Sequence, residues 1–277
     1  MGTTQQRGSI SMNDQANGME SYIFYGKLVE AAYEMYAQNS PAPSLPSDFP
    51  SGWERVANLT MTPYLESIKK REFAGYIASP VENPLQQIVV IRGTESGLDW
   101  LADFEFELKN FPEVPNGGKT EIGFSNLYRS MTVEYEDAGI PNESLIAQLD
   151  RLPAGTKLVV TGHSLGSSLA TLHAFVAGSK QIDVELITFA SPRVGNHEFV
   201  EAFQQMNIKN TRIFNHPDIV PNVPVEIAGY RHIEPGIEIN SALFPLKHSI
   251  PCYHAMSTYL YVMGDDKANI CKCKSKS

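Results

Sequence analysis

The sequence predicts an α/β fold built on a mostly parallel central sheet with helices on both faces. Three observations predict it. Short apolar runs of buried-strand type, "KLVVT" and "VELITFA", are each followed by a helical segment, and "TRIFN" adds a further strand. Strands and helices alternate from "QQIVVIR" onward, a pattern that requires crossovers and therefore parallel pairing. No internal repeat or composition shift divides the 277 residues, so one domain with a substantial core accommodates the series.

From the N-terminus, residues 1–19 are polar and poor in aromatics, which predicts a disordered tail. Tyr25, Leu28, Val29, Ala32, Met35 and Tyr36 recur at helical spacing and predict an amphipathic helix. Pro41, Pro43, Pro46 and Pro50 break the following stretch into a loop. "FAGYIAS" and "QQIVVIR", joined by the turn "PVENP", read as strands. "GFSNLYRS" opens a long helical region interrupted near Gly139-Ile140-Pro141, and "HEFVEAFQQM" is a later helix. The domain is expected over residues 20–264, with a mobile tail over 265–277.

Hydrophobic residues make up 42% of the chain and charged residues 19%, as in soluble globular proteins. The net charge of -9 and a pI near 5.3 argue against nucleic acid and anionic membrane surfaces, and suit neutral or apolar substrates. No run approaches the ~18 apolar residues of a membrane span, and the N-terminus shows no apolar leader core. A cytoplasmic location is therefore expected for the chain as given, or secretion if a leader has been removed. Gly2 invites myristoylation, but Gln6 stands where that motif requires Ser or Thr. The three cysteines, Cys252, Cys271 and Cys273, are odd in number, and two sit in the terminal "CKCKSKS". They predict free thiols rather than a disulfide framework or zinc site.

Chemistry concentrates in "VVTGHSLGSSLATL", Val159 to Leu172. A strand-to-helix turn sharp enough to expose a serine needs glycines that tolerate close backbone approach, here Gly162 and Gly166. Such a turn places Ser164 at a helix N-terminus, where free amides favour negative charge. Serine on this turn acts as a nucleophile when a base and an orienting acid follow it, in the order Ser, acid, His. The acid must lie at the carboxyl end of a strand. Asp183 starts "VELITFA" and falls on the wrong edge, whereas Asp218 follows "TRIFN" in the turn "HPDIVPNVP". His163, His173, His197 and His216 precede that acid, leaving His232, His248 and His254. His232 lies in the β-like "YRHIE". His254 directly precedes the apolar "AMSTYLYVM", which can anchor it, so spacing favours it over His248 without excluding the latter. An oxyanion needs two donors. The amide of Leu165 supplies one, and Thr94, just past "QQIVVIR" behind a glycine, is the candidate for the other.

With these residues in place, the chain resembles the class 3 (fungal-type, Rhizomucor-like) lipase family of α/β-hydrolases. The resemblance is carried in order by "AAYEMYA", "VVIRGTESGLDWLADFEFE", "IGFSNLY", "VVTGHSLGSSLATL", "LITFASPRVGN", "IFNHPDIVPNVP" and "CYHAMSTYL". It implies Ser164 as nucleophile, Asp218 as acid, His254 as base, and Thr94 and Leu165 as the oxyanion hole. It further implies a lid in "SGLDWLADFEF", where Leu98, Trp100, Leu101 and Phe104 alternate with acidic residues. A helix permanently docked on the core fits the same pattern. The implied activity is hydrolysis of neutral acyl esters by a lipase or carboxylesterase, without metal or organic cofactor and with transient contact to a lipid surface. Phospholipase A1 and feruloyl esterase activities, or a non-catalytic scaffold, are the alternatives on this fold. Neither the disulfides nor the leader of the secreted members is expected from this sequence.

Overall fold

The computed structural model describes residues 12–40, 42–62, 71–94 and 106–275. Helix α1 (Met12–Ala37) comes first. Strands β1 (Trp53–Met61), β2 (Glu72–Pro80), β3 (Gln86–Ile91), β4 (Leu108–Asn110) and β5 (Lys119–Glu121) follow. Next are α2 (Ile122–Ser130), β6 (Thr132–Tyr135), β7 (Glu143–Ser144) and α3 (Leu145–Arg151). Strand β8 (Lys157–His163) leads into α4 (Leu165–Ser179), β9 (Asp183–Phe189), β10 (Gly195–Asn196) and α5 (His197–Gln205). The last elements are β11 (Lys209–Asn215), β12 (Tyr230–Arg231), β13 (Gly236–Ile239), α6 (Ile250–His254) and α7 (Met256–Met263).

The large sheet has nine strands in the order β13-β11-β9-β8-β3-β2-β1-β6-β7, and β12-β10-β5-β4 form a smaller one. From β13 to β3 the pairs are parallel, because α4 and α5 cross over between successive strands. Beyond β3 the sheet continues antiparallel. Side chains alternate across it with period two. Ile88, Val90 and Val159 join the core under α1 and α7. Val89, Ile91, Leu158 and Val160 face the core under α2, α3, α4 and α5. The parallel run matters most for function, since the carboxyl ends of β3, β8, β11 and β13 all open on one edge of the sheet.

Three expectations change. Helix α1 begins at Met12, inside the stretch read as a tail, because Met19, Tyr22 and Ile23 pack against the core and carry the polar first turns with them. The helical region expected from "GFSNLYRS" ends at Ser130. Thr132 and Val133, both β-branched, instead pair with Thr60 and Leu59 of β1, a strand the sequence reading passes over.

The third change concerns the C-terminus. Cys252 and Cys273 form a disulfide with Cα atoms 5.3 Å apart, while Cys271 is free and exposed. Residues 265–275 are packed rather than loose: Ala268 and Cys273 are buried, and the Lys247 amide donates to the Cys273 carbonyl. The pairing was hidden because the Cys-x-Cys spacing draws attention to neighbours, whereas the partner lies 21 residues back along the chain. By the chain-entropy argument a loop of this size stabilises by about 3 kcal/mol. Dithiothreitol should therefore lower the Tm by about 6–12 °C. Cys271→Ser should leave it unchanged. An identical Tm in oxidised and reduced samples would show that the two sulfurs are not paired.

Candidate active site

Ser164 sits between the end of β8 and the first residue of α4 with φ 57° and ψ -128°, a backbone conformation that costs free energy for any side-chain-bearing residue. The flanking glycines are there because nothing else fits. A Cβ on Gly162 would stand 2.5 Å from the Gly166 carbonyl oxygen, and one on Gly166 would stand 2.4 Å from those of Ile91 and Arg92. The turn is held by the Ser164 amide and the Ser167 hydroxyl, both donating to the Phe189 carbonyl (2.9 and 2.7 Å). It therefore tilts α4 against the end of β3 and pins the serine at the sheet edge.

The structure brings Asp218 and His254 to this serine. His254 Nε2 is 2.8 Å from Ser164 Oγ, and His254 Nδ1 is 2.8 Å from Asp218 Oδ2. All three side chains are buried. Asp218 accepts at the same Oδ2 from the Tyr259 hydroxyl (2.7 Å) and at Oδ1 from the Val220 amide (3.0 Å). Its carboxylate is thus fixed in one orientation, with Nδ1–H of His254 as the remaining donor. That tautomer leaves Nε2 free to accept the serine proton.

The other two candidate histidines have different surroundings. Burial and the neighbouring Arg212 push His232 down to about 3, and its Nε2 donates to the Pro221 carbonyl at 2.6 Å. His248 is exposed and stacks loosely near Tyr253. Asp183 starts β9, on the opposite edge of the sheet from Ser164.

Leu165 opens α4, so its amide is one of the helix's unpaired N-terminal donors, beside Ser164. Thr94 lies three residues past the end of β3, and its buried hydroxyl has no hydrogen-bond partner among the described residues. Gly93 lets its strand end approach, since a Cβ there would meet Ser164 Cβ at 3.0 Å. Leu98, Trp100, Leu101 and Phe104, expected in a lid, fall outside the described residues.

Sequence reasoning missed four residues at this site. Tyr259 was visible only as part of an apolar anchor, yet its hydroxyl bonds Asp218. Asn215 donates to the Tyr253 carbonyl at 2.7 Å and so holds the end of α6. His163 and Tyr33 contact each other across 130 residues, and no local pattern reveals such a pair.

A serine on a strained strand–helix turn, with an acid and then a histidine later in the chain at the same edge, is the architecture of α/β-hydrolases. The structure superposes on mono- and diacylglycerol lipase from Aspergillus oryzae with TM-score 0.60 and 26% identity, over 80% of this chain and 79% of that one. The family model for lipase (class 3) matches residues 88–227, and the chain belongs to that family. Phospholipase A1-Ialpha2, chloroplastic, of Arabidopsis thaliana is 28% identical over 76% of this chain and 52% of its own length. Secreted mono- and diacylglycerol lipase A of Penicillium cyclopium is 32% identical over 61% of this chain and 52% of its own. The chain thus spans about half the length of these curated relatives. Among the described residues, no helix is long and apolar enough to cross a membrane.

Proposed function

We propose that this chain hydrolyses carboxylic esters of acyl lipids through an acyl-enzyme on Ser164. The reading rests on the two 2.8 Å hydrogen bonds that join Ser164, His254 and Asp218. His254 Nε2 takes the hydroxyl proton as Ser164 Oγ bonds to the ester carbonyl carbon. The carbonyl π bond opens to an oxyanion, which the Leu165 amide and the Thr94 amide or hydroxyl receive. Collapse of this intermediate breaks the bond to the leaving alkoxide, and His254 delivers its proton there. Water then attacks the acyl-enzyme by the same route in reverse, returning the proton to Ser164.

Neutral acyl glycerides are the proposed substrates. The net charge of -9 disfavours anionic surfaces. Exposed Ile219, Val225 and Ile227 follow the carboxyl end of β11, and Leu243 and Ile250 follow that of β13, so apolar groups flank the segments that carry Asp218 and His254. Transient contact of this edge with a neutral lipid phase belongs to the same proposal. Phospholipase A1 activity is the second reading, favoured by the Arabidopsis relative, which matches more of this chain than the fungal one. p-Nitrophenyl esters from acetate to palmitate, a diacylglycerol emulsion and phosphatidylcholine vesicles separate the readings. Turnover of the emulsion above that of the vesicles is expected. Turnover of vesicles alone would make phospholipid the substrate, and no turnover of any ester would overturn the proposal.

A further inference from the structure

His163, the residue before the nucleophile, is not used in the chemistry above, yet it is buried with its ring centroid 4.7 Å from that of His254. Its Nε2 lies 2.8 Å from the His254 carbonyl oxygen, which can only accept, so Nε2 carries a proton. Burial pushes its pKa well below the ordinary histidine value, with the adjacent His254 acting in the same direction, so the ring is neutral and Nδ1 is an acceptor. The Tyr33 hydroxyl, 2.8 Å away, therefore donates to Nδ1. The oxygen of that hydroxyl in turn accepts from the Gly93 amide at 2.9 Å. The bonds run in one direction: Gly93 N–H to Tyr33, Tyr33 O–H to His163, and His163 N–H to the His254 carbonyl.

We infer that His163 and Tyr33 are positioning residues that tie the strand end bearing Thr94 and the short helix α6 bearing His254 to the turn bearing Ser164. The inference rests on the esterase reading above. Helix α6 is only five residues long and ends at His254, with extended backbone at Ala255, so its last carbonyls have no helical partner. Asn215 takes the carbonyl of Tyr253, and His163 takes that of His254. Two side chains from the ends of β11 and β8, the strands on either side of β9, thus fix the backbone of the base. Tyr33 fixes the other wall from α1, outside the sheet altogether. Catalysis by a hydroxyl–imidazole pair depends on this placement, because a misplacement of about 1 Å costs about a hundredfold in rate.

A second tyrosine–histidine pair, this one fully buried, provides a control. The Tyr128 hydroxyl lies 3.1 Å from His173 Nδ1 between α2 and α4, with no part in the site. Tyr33→Phe and Tyr128→Phe each delete one oxygen from a tyrosine–histidine bond. Both should lower the Tm, but only Tyr33→Phe should lower kcat, by about tenfold to a hundredfold, with KM within about twofold. His163→Gln, which keeps one donor and one acceptor, should retain more kcat than His163→Phe. Labelling of Ser164 by a fluorescent alkyl phosphonate is measured first in the unsubstituted chain. No labelling would overturn the esterase reading and this inference together. Labelling with unchanged kcat in Tyr33→Phe, or with equal losses in Tyr33→Phe and Tyr128→Phe, would overturn this inference alone.

Discussion

Ser164→Ala is expected to lower ester hydrolysis by at least about four orders of magnitude while Tm and circular dichroism stay near those of the parent. The size follows from what is removed. Without Oγ no acyl-enzyme forms, and only the oxyanion donors and substrate binding remain, which sustain about a thousandfold to ten-thousandfold over water in serine hydrolases. The fold should tolerate the change because alanine keeps the Cβ already accommodated at φ 57° and because the turn is held by the Ser164 amide, not its side chain. A variant with half the parental rate and the same dichroism would remove Ser164 from the role of nucleophile.

His254→Ala should lower kcat by a comparable factor, whereas His248→Ala should cost less than about tenfold. His254 hydrogen-bonds both Ser164 and Asp218. Its loss leaves Asp218 buried with one acceptor unmet, so a fall in Tm should accompany the loss of rate. His248 is exposed, and its ring lies against Tyr253. The reverse ranking would place the base on the loop before α6 and contradict the proposed mechanism.

The framework of the site was readable from the chain because strand ends are. "KLVVT", "TRIFN" and "QQIVVIR" are apolar runs whose carboxyl ends are marked by glycine or turn residues, and the parallel topology that follows from alternation puts those ends on one edge. Ser164 and Asp218 could be placed by that logic. His254 could be favoured over His248 only by its neighbour "AMSTYLYVM", and the physical reason emerges in Tyr259, whose hydroxyl reaches Asp218 from α7. What depends on packing between distant elements was not readable. Tyr33 and His163 are 130 residues apart, and Cys252 finds Cys273 only because residues 265–275 fold back on the domain. The strand β1 went unseen for a related reason: its burial alternates weakly, and its pairing with β6 becomes visible only when both are in place.

The claim on which all this depends is that Ser164 is the activated oxygen. Incubation of the intact chain with an alkyl p-nitrophenyl phosphonate, followed by peptide mass spectrometry, tests it most directly. The account predicts one phosphonyl group per chain, on the peptide spanning Val159 to Leu172 and at Ser164, with esterase activity lost in proportion and no label in His254→Ala over the same interval. Label on another residue, or full activity after stoichiometric labelling, would contradict it.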